Sequence, residues 1–185
     1  MAEKNLSPSD NNPDINNLAS GQAVAYVDGS YDVTTERFSY GIVMFAKPEG
    51  DISSYLFEEE PGRVKLEFKE ALPDGAYKFT LCKAFSHKEL ASMRNVAGEI
   101  MGSAQAMKSA AELGLKHITI CHDYEGIAAW CTGAWKAKLP WTQKYKGFYD
   151  EMKQKIKIDF VKVKGHSKNP LNDLADSLAK EALGK

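Results

Sequence analysis

The central feature of this sequence is the apolar run Ala23-Val24-Ala25-Tyr26-Val27-Asp28-Gly29-Ser30, which ends in an aspartate followed by Gly-Ser. An apolar run bounded by a turn signal predicts a buried β-strand with a carboxylate at its end. A second strand is predicted over 38–46, where Lys47-Pro48-Glu49-Gly50 stops it. One of three further strand-like segments is expected to be the third core strand, and the others to form an added antiparallel arm: 52–57, 64–68 and 77–82.

Downstream of these strands, helical and extended patterns alternate. Apolar residues recur at helical spacing from Ala97 to Leu113, and Gly114 follows them as a stop signal. The remaining predicted elements are a strand at 117–123, a short helix at 124–130, a helix at 146–154, a strand at 156–164 and a helix at 170–183. This order predicts an α/β fold, a mixed sheet with helices on its faces.

Composition limits the function less than the motifs do. The 185 residues include 24 basic and 25 acidic side chains, so the net charge of −1 does not by itself indicate nucleic-acid binding. Three cysteines at unpatterned spacings favour a reducing, cytoplasmic setting. No apolar run approaches the roughly 20 residues that span a bilayer. Residues 1–20 are polar and predict a disordered tail or linker remnant, with one domain over 21–185.

Four segments each offer a carboxylate at the end of a strand or on a helix. These are Asp28, Glu99, Asp123 and, near the C-terminus, Asp176 or its neighbour Asp173. Each acid alone has an ordinary explanation, such as a turn residue or a helix N-terminal carboxylate. Clustered acids repel one another, but they become favourable when they hold hard cations such as Mg²⁺. Two such ions can serve a phosphodiester displacement.

The full set of motifs resembles type 1 ribonuclease H from about Ala23 to the C-terminus. The motifs are Tyr-Val-Asp-Gly-Ser (26–30), Asn-Val-Ala-Gly-Glu (95–99), Asp-Tyr-Glu-Gly-Ile (123–127), and Val-Lys-Gly-His (163–166) followed by Asn-Asp-Leu-Ala-Asp (172–176). The resemblance is closest to bacterial members that often carry a viroplasmin-like N-terminal module. It implies a ribonuclease H-like fold, with a five-stranded mixed sheet, helices on both faces and here an inserted β arm. It also implies an endonuclease that cuts the RNA strand of RNA–DNA hybrids, leaving 5′-phosphate and 3′-hydroxyl ends.

The resemblance also implies a role for individual residues. Asp28, Glu99, Asp123 and Asp176 match the carboxylates that hold two Mg²⁺ ions, for which Mn²⁺ can substitute. His166 matches a loop histidine that aids catalysis or product release. The residues expected to contact the substrate are Gly29, Ser30, Asn95, Asn172, Lys136 and Lys138. The implied partner is an RNA–DNA hybrid, bound by a monomer that needs no obligate protein partner and no membrane.

This chain also departs from the family pattern. Val96 stands where many relatives have a second asparagine, and Glu125 occupies a place where some have a substrate-contacting glutamine. The segment between Asp28 and Glu99 is long, and the additional residues are expected to lie within 49–76. The basic, aromatic stretch 132–146 is predicted to contact phosphates through some of its lysines and to pack on the core through Trp135 and Trp141.

Three alternatives are open on sequence grounds. The first is a module that grips RNA–DNA hybrids without cutting them. The second is an integrase-like enzyme on the same fold, and the third is a structural domain whose acids are ordinary surface residues.

Overall fold

The computed structural model describes residues 12–50, 64–71, 74–164 and 169–185. Its six strands form one sheet in the order β3-β4-β2-β1-β5-β6. The strands are β1 (Gln22–Asp32), β2 (Arg37–Lys47), β3 (Val64–Ala71), β4 (Tyr77–Phe85), β5 (His117–His122) and β6 (Lys157–Lys162). The pairs β1–β2, β2–β4 and β3–β4 are antiparallel, whereas β1–β5 and β5–β6 are parallel. The predicted mixed α/β sheet is therefore confirmed.

The central strand β1 is longer than its apolar run suggests. It pairs with β2 from Gln22↔Lys47 through Asp32↔Arg37, so Asp28 lies inside the strand rather than at its end. The Gly-Ser that follows Asp28 is not a turn, and the expectation of a turn there was wrong. Regular pairing with β2 keeps this glycine in extended backbone, and its missing side chain serves a different purpose described below.

The long segment between the second and third core strands adds to the sheet. The strand predicted at 77–82 is β4 and takes the third core position beside β2. The strand predicted at 64–68 is β3, which pairs antiparallel with β4 at the sheet edge. The strand expected at 52–57 lies outside the described residues. The inserted arm thus extends the expected five-stranded sheet to six strands.

Five helices connect and cover the strands over the described ranges: α1 (Lys88–Ala91), α2 (Asn95–Glu112), α3 (Gly126–Thr132), α4 (Pro140–Met152) and α5 (Pro170–Ala182). Helix α4 begins six residues before its predicted start at 146, so part of the basic stretch 132–146 is helical. Pro140 stands at the first helical position, where its fixed φ favours a helix start and its missing N–H costs nothing. No helix among the described residues has the length and hydrophobicity to cross a membrane.

Two apolar clusters hold helices to opposite faces of the sheet. One joins alternate residues of β1, such as Ala25 and Val27, to Ile100 and Met107 of α2 and Tyr145 of α4. The other joins the intervening residues of β1 to α5. Because side chains alternate across a strand, this central strand contributes to both clusters.

The N-terminal segment 12–20 is packed against the domain, unlike the disordered tail expected there. Ile15 and Leu18 are 6% and 4% exposed and belong to the α5-side cluster. Two isolated apolar residues in a polar stretch give no periodic signal, which is why the sequence pattern did not reveal this contact. Residues 1–11 lie outside the described ranges.

Glycines let α2 and α5 approach the sheet at van der Waals distance. A Cβ on Gly29 would collide with the backbone at Asn95 and Glu99, and a Cβ on Gly98 would collide with the carbonyl of Ser39. A Cβ on Gly41 would meet the backbone of α5 in the same way. The absence of a side chain at Gly29 and Gly98 therefore brings the N-terminal turn of α2 directly onto β1.

Candidate active site

The parallel register of β1 and β5 places two carboxylates side by side. Tyr26 pairs with Cys121, so two further residues along each strand bring Asp28 level with Asp123. Asp123 directly follows β5, as predicted. Ligands of α/β sheets gather outside the carboxyl ends of parallel strands, because the backbone leaves the sheet there. Both side chains are partly buried.

Glu99 lies in the first turns of α2 and approaches the same carboxyl end of the parallel strands. Its side chain is 2% exposed. Its Oε1 accepts hydrogen bonds from the backbone N–H of Asp123 at 3.0 Å and of Tyr124 at 3.3 Å. The buried carboxyl thus ties α2 to the chain that leaves β5.

Burial also changes the acidity of Glu99. Its pKa is raised to about 8. Desolvation is the largest cause, and the negative charges of Asp28 and Asp123 act in the same direction, whereas the two backbone hydrogen bonds lower the pKa. A carboxyl with this pKa and two acidic neighbours lies in a region that favours an added positive charge.

Helix α5 supplies the fourth acid from the opposite face of the sheet. Asn169 caps this helix, since its Oδ1 accepts from the N–H groups of Leu171 at 3.1 Å and Asn172 at 3.2 Å. Asp176, two turns into the helix, accepts a hydrogen bond from Nζ of Lys180 at 2.7 Å. Both Asp176 and its rival Asp173 face the pocket described next, so position alone does not separate them.

A polar pocket of about 390 Å³ collects most of these groups. Its lining consists of Asp28, Gly29, Ser30, Tyr31, Arg94, Asn95, Asp123, Asn172, Asp173, Asp176 and Lys180. Three of the four predicted acids and four predicted substrate contacts, Gly29, Ser30, Asn95 and Asn172, therefore share one cavity. Glu99 lies beside it, linked to Asp123 by the hydrogen bond above.

Three members of this lining are not predicted from the sequence: Tyr31, Arg94 and Lys180. Arg94 has a positive φ of 53° with ψ of −130°, an uncommon conformation for a residue with a side chain. Its guanidinium carbon lies 5.9 Å from the centre of the Tyr31 ring. A basic residue directly before Asn95 and another one helical turn after Asp176 were visible in the sequence, but only the fold shows that both reach the pocket.

Other predicted residues are not brought into this pocket. His166 lies outside the described residues. Lys136 and Lys138 are exposed on the loop between α3 and α4 and do not line the pocket. Glu125 stands at the N-cap position of α3, without a side-chain capping bond and outside the lining.

Aromatic side chains cover the surface next to Asp123. Trp135 meets Trp130 and Tyr124 edge-on, with ring centroids 5.9 Å apart in both pairs. Trp135 is 38% exposed and belongs to no core cluster of the described residues, so the core packing expected for it was wrong, whereas Trp141 packs against the cluster of Phe38, Leu90 and Ala97. Trp141 meets the ring of His87 edge-on at 5.0 Å and lies under Nζ of Lys144 at 4.7 Å.

The donor set of the pocket fits a hard divalent cation in its chemistry, since carboxylate and amide oxygens are the ligands that Mg²⁺ takes. Oδ1 of Asn172 is buried and has no hydrogen-bond partner within the described ranges. Yet the described part of the chain contains no group of three or more His, Cys, Asp or Glu side chains arranged to hold a metal ion. Glu99 is turned to backbone N–H groups and Asp176 to Lys180, which accounts for this spread arrangement.

Comparisons with known proteins agree with this architecture. The RNase H family profile matches residues 20–184. Among solved structures, RNase H1 of the halophilic archaeon Halobacterium salinarum NRC-1 superimposes with a TM-score of 0.59 at 19% identity, covering 88% of this chain and 98% of the other. The N-terminal RNase H domain of a Mycobacterium tuberculosis protein, solved as a fusion with maltose-binding protein, gives a TM-score of 0.59 at 17% identity over 88% and 94% of the two chains.

A third similar structure is LC11-RNase H1 in complex with an RNA/DNA hybrid. It has a TM-score of 0.54 and 14% identity and covers 87% of this chain and 99% of the other. No curated protein sequence matches this chain significantly. At these levels of identity the structural likenesses concern the fold.

Proposed function

This chain belongs to the RNase H family and is a ribonuclease H, and we propose that it hydrolyses the RNA strand of RNA–DNA hybrids by two-metal-ion catalysis at the pocket between α2, β1 and α5. The products would be 5′-phosphate and 3′-hydroxyl ends. The observation that carries this proposal is the grouping of Asp28, Asp123 and Asp176 around one cavity, with Glu99 hydrogen-bonded to the backbone of Asp123 beside it. The family match and the hybrid-bound LC11-RNase H1 support the choice of substrate.

Asp28, Glu99, Asp123 and Asp176 would hold two Mg²⁺ ions, for which Mn²⁺ can substitute. When bound, such ions supply an activated water and stabilise the leaving oxygen of a phosphodiester displacement. The chain's own contribution is the rigid placement of the acids. Two backbone N–H groups fix Glu99, and the paired strands fix Asp28. His166 is proposed to assist catalysis or product release.

Substrate choice would depend on groups at the rim of the pocket. Asn95 is exposed at the first position of α2, where its amide is available to hydrogen-bond a ribose 2′-hydroxyl, the group that distinguishes RNA from DNA. Arg94 places a guanidinium next to it, suited to a backbone phosphate. Gly29, Ser30 and Asn172 complete this contact surface, and the exposed Lys136 and Lys138 would contact phosphates farther along the duplex.

Buried cysteines agree with action in a reducing compartment such as the cytoplasm. Cys82, Cys121 and Cys131 are all buried, and none of these three forms a disulfide bond. Action as a monomer, with the hybrid as its only required partner, remains part of the proposal.

The test is a cleavage assay with end-labelled RNA–DNA hybrid, DNA duplex and RNA duplex in Mg²⁺. Cutting of the RNA strand of the hybrid alone is expected. The isosteric pair Asp176→Asn and Asp173→Asn decides which acid of α5 serves the reaction. We expect Asp176→Asn to lower kcat by about 100-fold or more, since an ion ligand contributes several kcal/mol to the transition state. Asp173→Asn should change kcat by less than about 5-fold, because solvent screens its exposed charge.

Two outcomes would overturn the proposal. Tight binding of the hybrid without cleavage would favour the hybrid-binding module. Wild-type rates for Asp123→Asn would show that the acids are not the catalytic groups. That variant keeps the backbone N–H of residue 123 that donates to Glu99, so we expect it to fold normally.

A further inference from the structure

The segment 12–20, called here the N-terminal strap, lies across the junction of β1 and α5. Ile15 and Leu18 bury their side chains in the cluster that contains Tyr26 of β1 and Leu171 of α5. Val163, which follows β6, belongs to the same cluster. The family profile begins at residue 20, so residues 12–19 of the strap lie outside the part of the chain that it matches.

A single side-chain amide in the strap connects β1 to the start of α5. Oδ1 of Asn12 accepts a hydrogen bond from the Tyr26 hydroxyl at 3.3 Å and another from Nδ2 of Asn169 at 2.9 Å. Burial raises the pKa of Tyr26, which keeps its hydroxyl protonated and able to donate. The other amide atom of Asn12, Nδ2, is buried without a hydrogen-bond partner in the described residues. Because the Tyr26 hydroxyl and Nδ2 of Asn169 are both donors, the side-chain oxygen of Asn12 must face them.

The contact with Asn12 favours one orientation of the Asn169 amide. Asn169 is 7% exposed. Its Nδ2 donates to Asn12, which leaves Oδ1 to accept from the N–H groups of Leu171 and Asn172 and so to cap α5. If this amide were rotated by 180°, its NH₂ group would face two N–H donors and the cap would be lost.

The cap matters to the pocket because α5 carries part of its lining. The backbone N–H of Asn172 donates one of the capping hydrogen bonds, and the side-chain Oδ1 of Asn172 is buried. Asp176 follows one turn later on the same helix. We propose that the strap is a positioning element of the active site, in which Asn12 holds Asn169 in its capping orientation and thereby fixes Asn172 and Asp176. This inference rests on the proposed function for its catalytic consequence, but not for its structural part.

The experiment uses the full chain with three variants in the strap. Asn12→Leu keeps the branched shape of the side chain and removes the acceptor. Asn12→Asp keeps an acceptor oxygen and serves as the conservative rescue. Asn17→Leu makes the same asparagine-to-leucine change at an exposed position of the strap and serves as the control.

Two measurements report on the strap. Amide hydrogen exchange at Leu171 and Asn172 reports the cap directly, and steady-state cleavage of a labelled hybrid reports its consequence. For Asn12→Leu we expect exchange at both amides to accelerate about 5- to 10-fold, since the cap loses roughly one net hydrogen bond. We also expect kcat to fall about 3- to 10-fold with KM within about 2-fold, because the loss concerns acids that act on the reacting phosphate. Asn12→Asp should recover most of both, and Asn17→Leu should match the wild type.

The outcomes separate this inference from the proposed function. Unchanged amide exchange in Asn12→Leu overturns the inference, whether or not the wild type cuts hybrids. Accelerated exchange with unchanged kcat overturns the role in catalysis. A wild type that does not cut hybrids overturns the proposed function, while hydrogen exchange still decides whether the strap holds the cap.

Discussion

Oε1 of Glu99 accepts a hydrogen bond from the backbone N–H of Asp123 at 3.0 Å, so a buried carboxyl of α2 is joined to the residue that directly follows β5. These two acids are 24 residues apart in the chain. The bond fixes the distance between α2 and the carboxyl end of β5. It also brings the charge of Asp123 close enough to raise the pKa of Glu99.

Glu99 should make the metal-free protein less stable as pH rises. Its pKa is about 8 in the folded protein, against an ordinary value of 4.5 for a solvent-exposed glutamate. Between these values the folded state binds more protons than the unfolded state, so the free energy of unfolding falls as pH increases. Glu99→Gln removes this term. The variant should therefore gain stability relative to the wild type from pH 5 to pH 8, by about 2–4 kcal/mol at pH 8.

Urea unfolding in EDTA at several pH values measures this effect. Glu112→Gln, at the exposed end of the same helix, is the control and should show no such trend. A difference between Glu99→Gln and wild type that stays constant with pH would contradict the prediction.

Two glycine-to-alanine substitutions should have opposite effects on stability. One is in α2, where the helix packs closely on the sheet, and the other is at an open position of α4. Gly98→Ala places a Cβ against the carbonyl of Ser39, which is backbone and cannot move aside. We expect a loss of about 2 kcal/mol or more in the free energy of unfolding. Gly147→Ala, at an open position of α4, should gain about 0.5–1 kcal/mol from helix propensity. Chemical denaturation of both variants tests the pair, and equal effects would show that the contact at Gly98 relaxes freely.

Lys180 should weaken the binding of divalent cations. Its Nζ lies 2.7 Å from Oδ2 of Asp176, and the charge of Asp28 also acts on it. Removing this positive charge with Lys180→Met should tighten Mg²⁺ or Mn²⁺ binding about 2- to 5-fold, as expected for a partly exposed ion pair. Calorimetric titration of each ion measures it. Lys108→Met breaks the comparable i,i+4 pair with Glu112 and should leave ion binding unchanged.

Lys136 and Lys138 should contribute to hybrid affinity through phosphates alone. Both are exposed on the loop before α4, outside the pocket. Each phosphate contact that is lost should lower the slope of log K against log salt concentration by about 1. Fluorescence titration of the Lys136→Gln, Lys138→Gln double variant should therefore show a slope lower by up to about 2. Lys155→Gln, an exposed lysine that follows α4, should leave the slope unchanged. An equal loss of affinity at all salt concentrations would instead indicate a change of structure.

The element pattern could be predicted from sequence where local signals are strong. The apolar strands around Asp28 and Asp123, the long helix before Gly114 and the final helix after Pro170 all carry clear periodicity or end signals. The start of α4 was missed because the basic, aromatic residues before position 146 have no clear helical period, and because Pro140 was not recognised as a helix start. The strap was missed because Ile15 and Leu18 are too few to form a pattern.

The motifs along the chain are enough to indicate which residues are candidates for the chemistry. Asp28, Glu99 and Asp123 each lie in a short motif whose order along the chain indicates the RNase H family, and all three come together at one sheet edge. Only the tertiary structure placed Lys180 and Arg94 beside them, buried Glu99 so that its pKa rises, and joined Asn12 to Asn169. The physical reason is that charge, burial and hydrogen bonding depend on distances between residues far apart in the chain, and packing of the helices on the two faces of the sheet sets those distances.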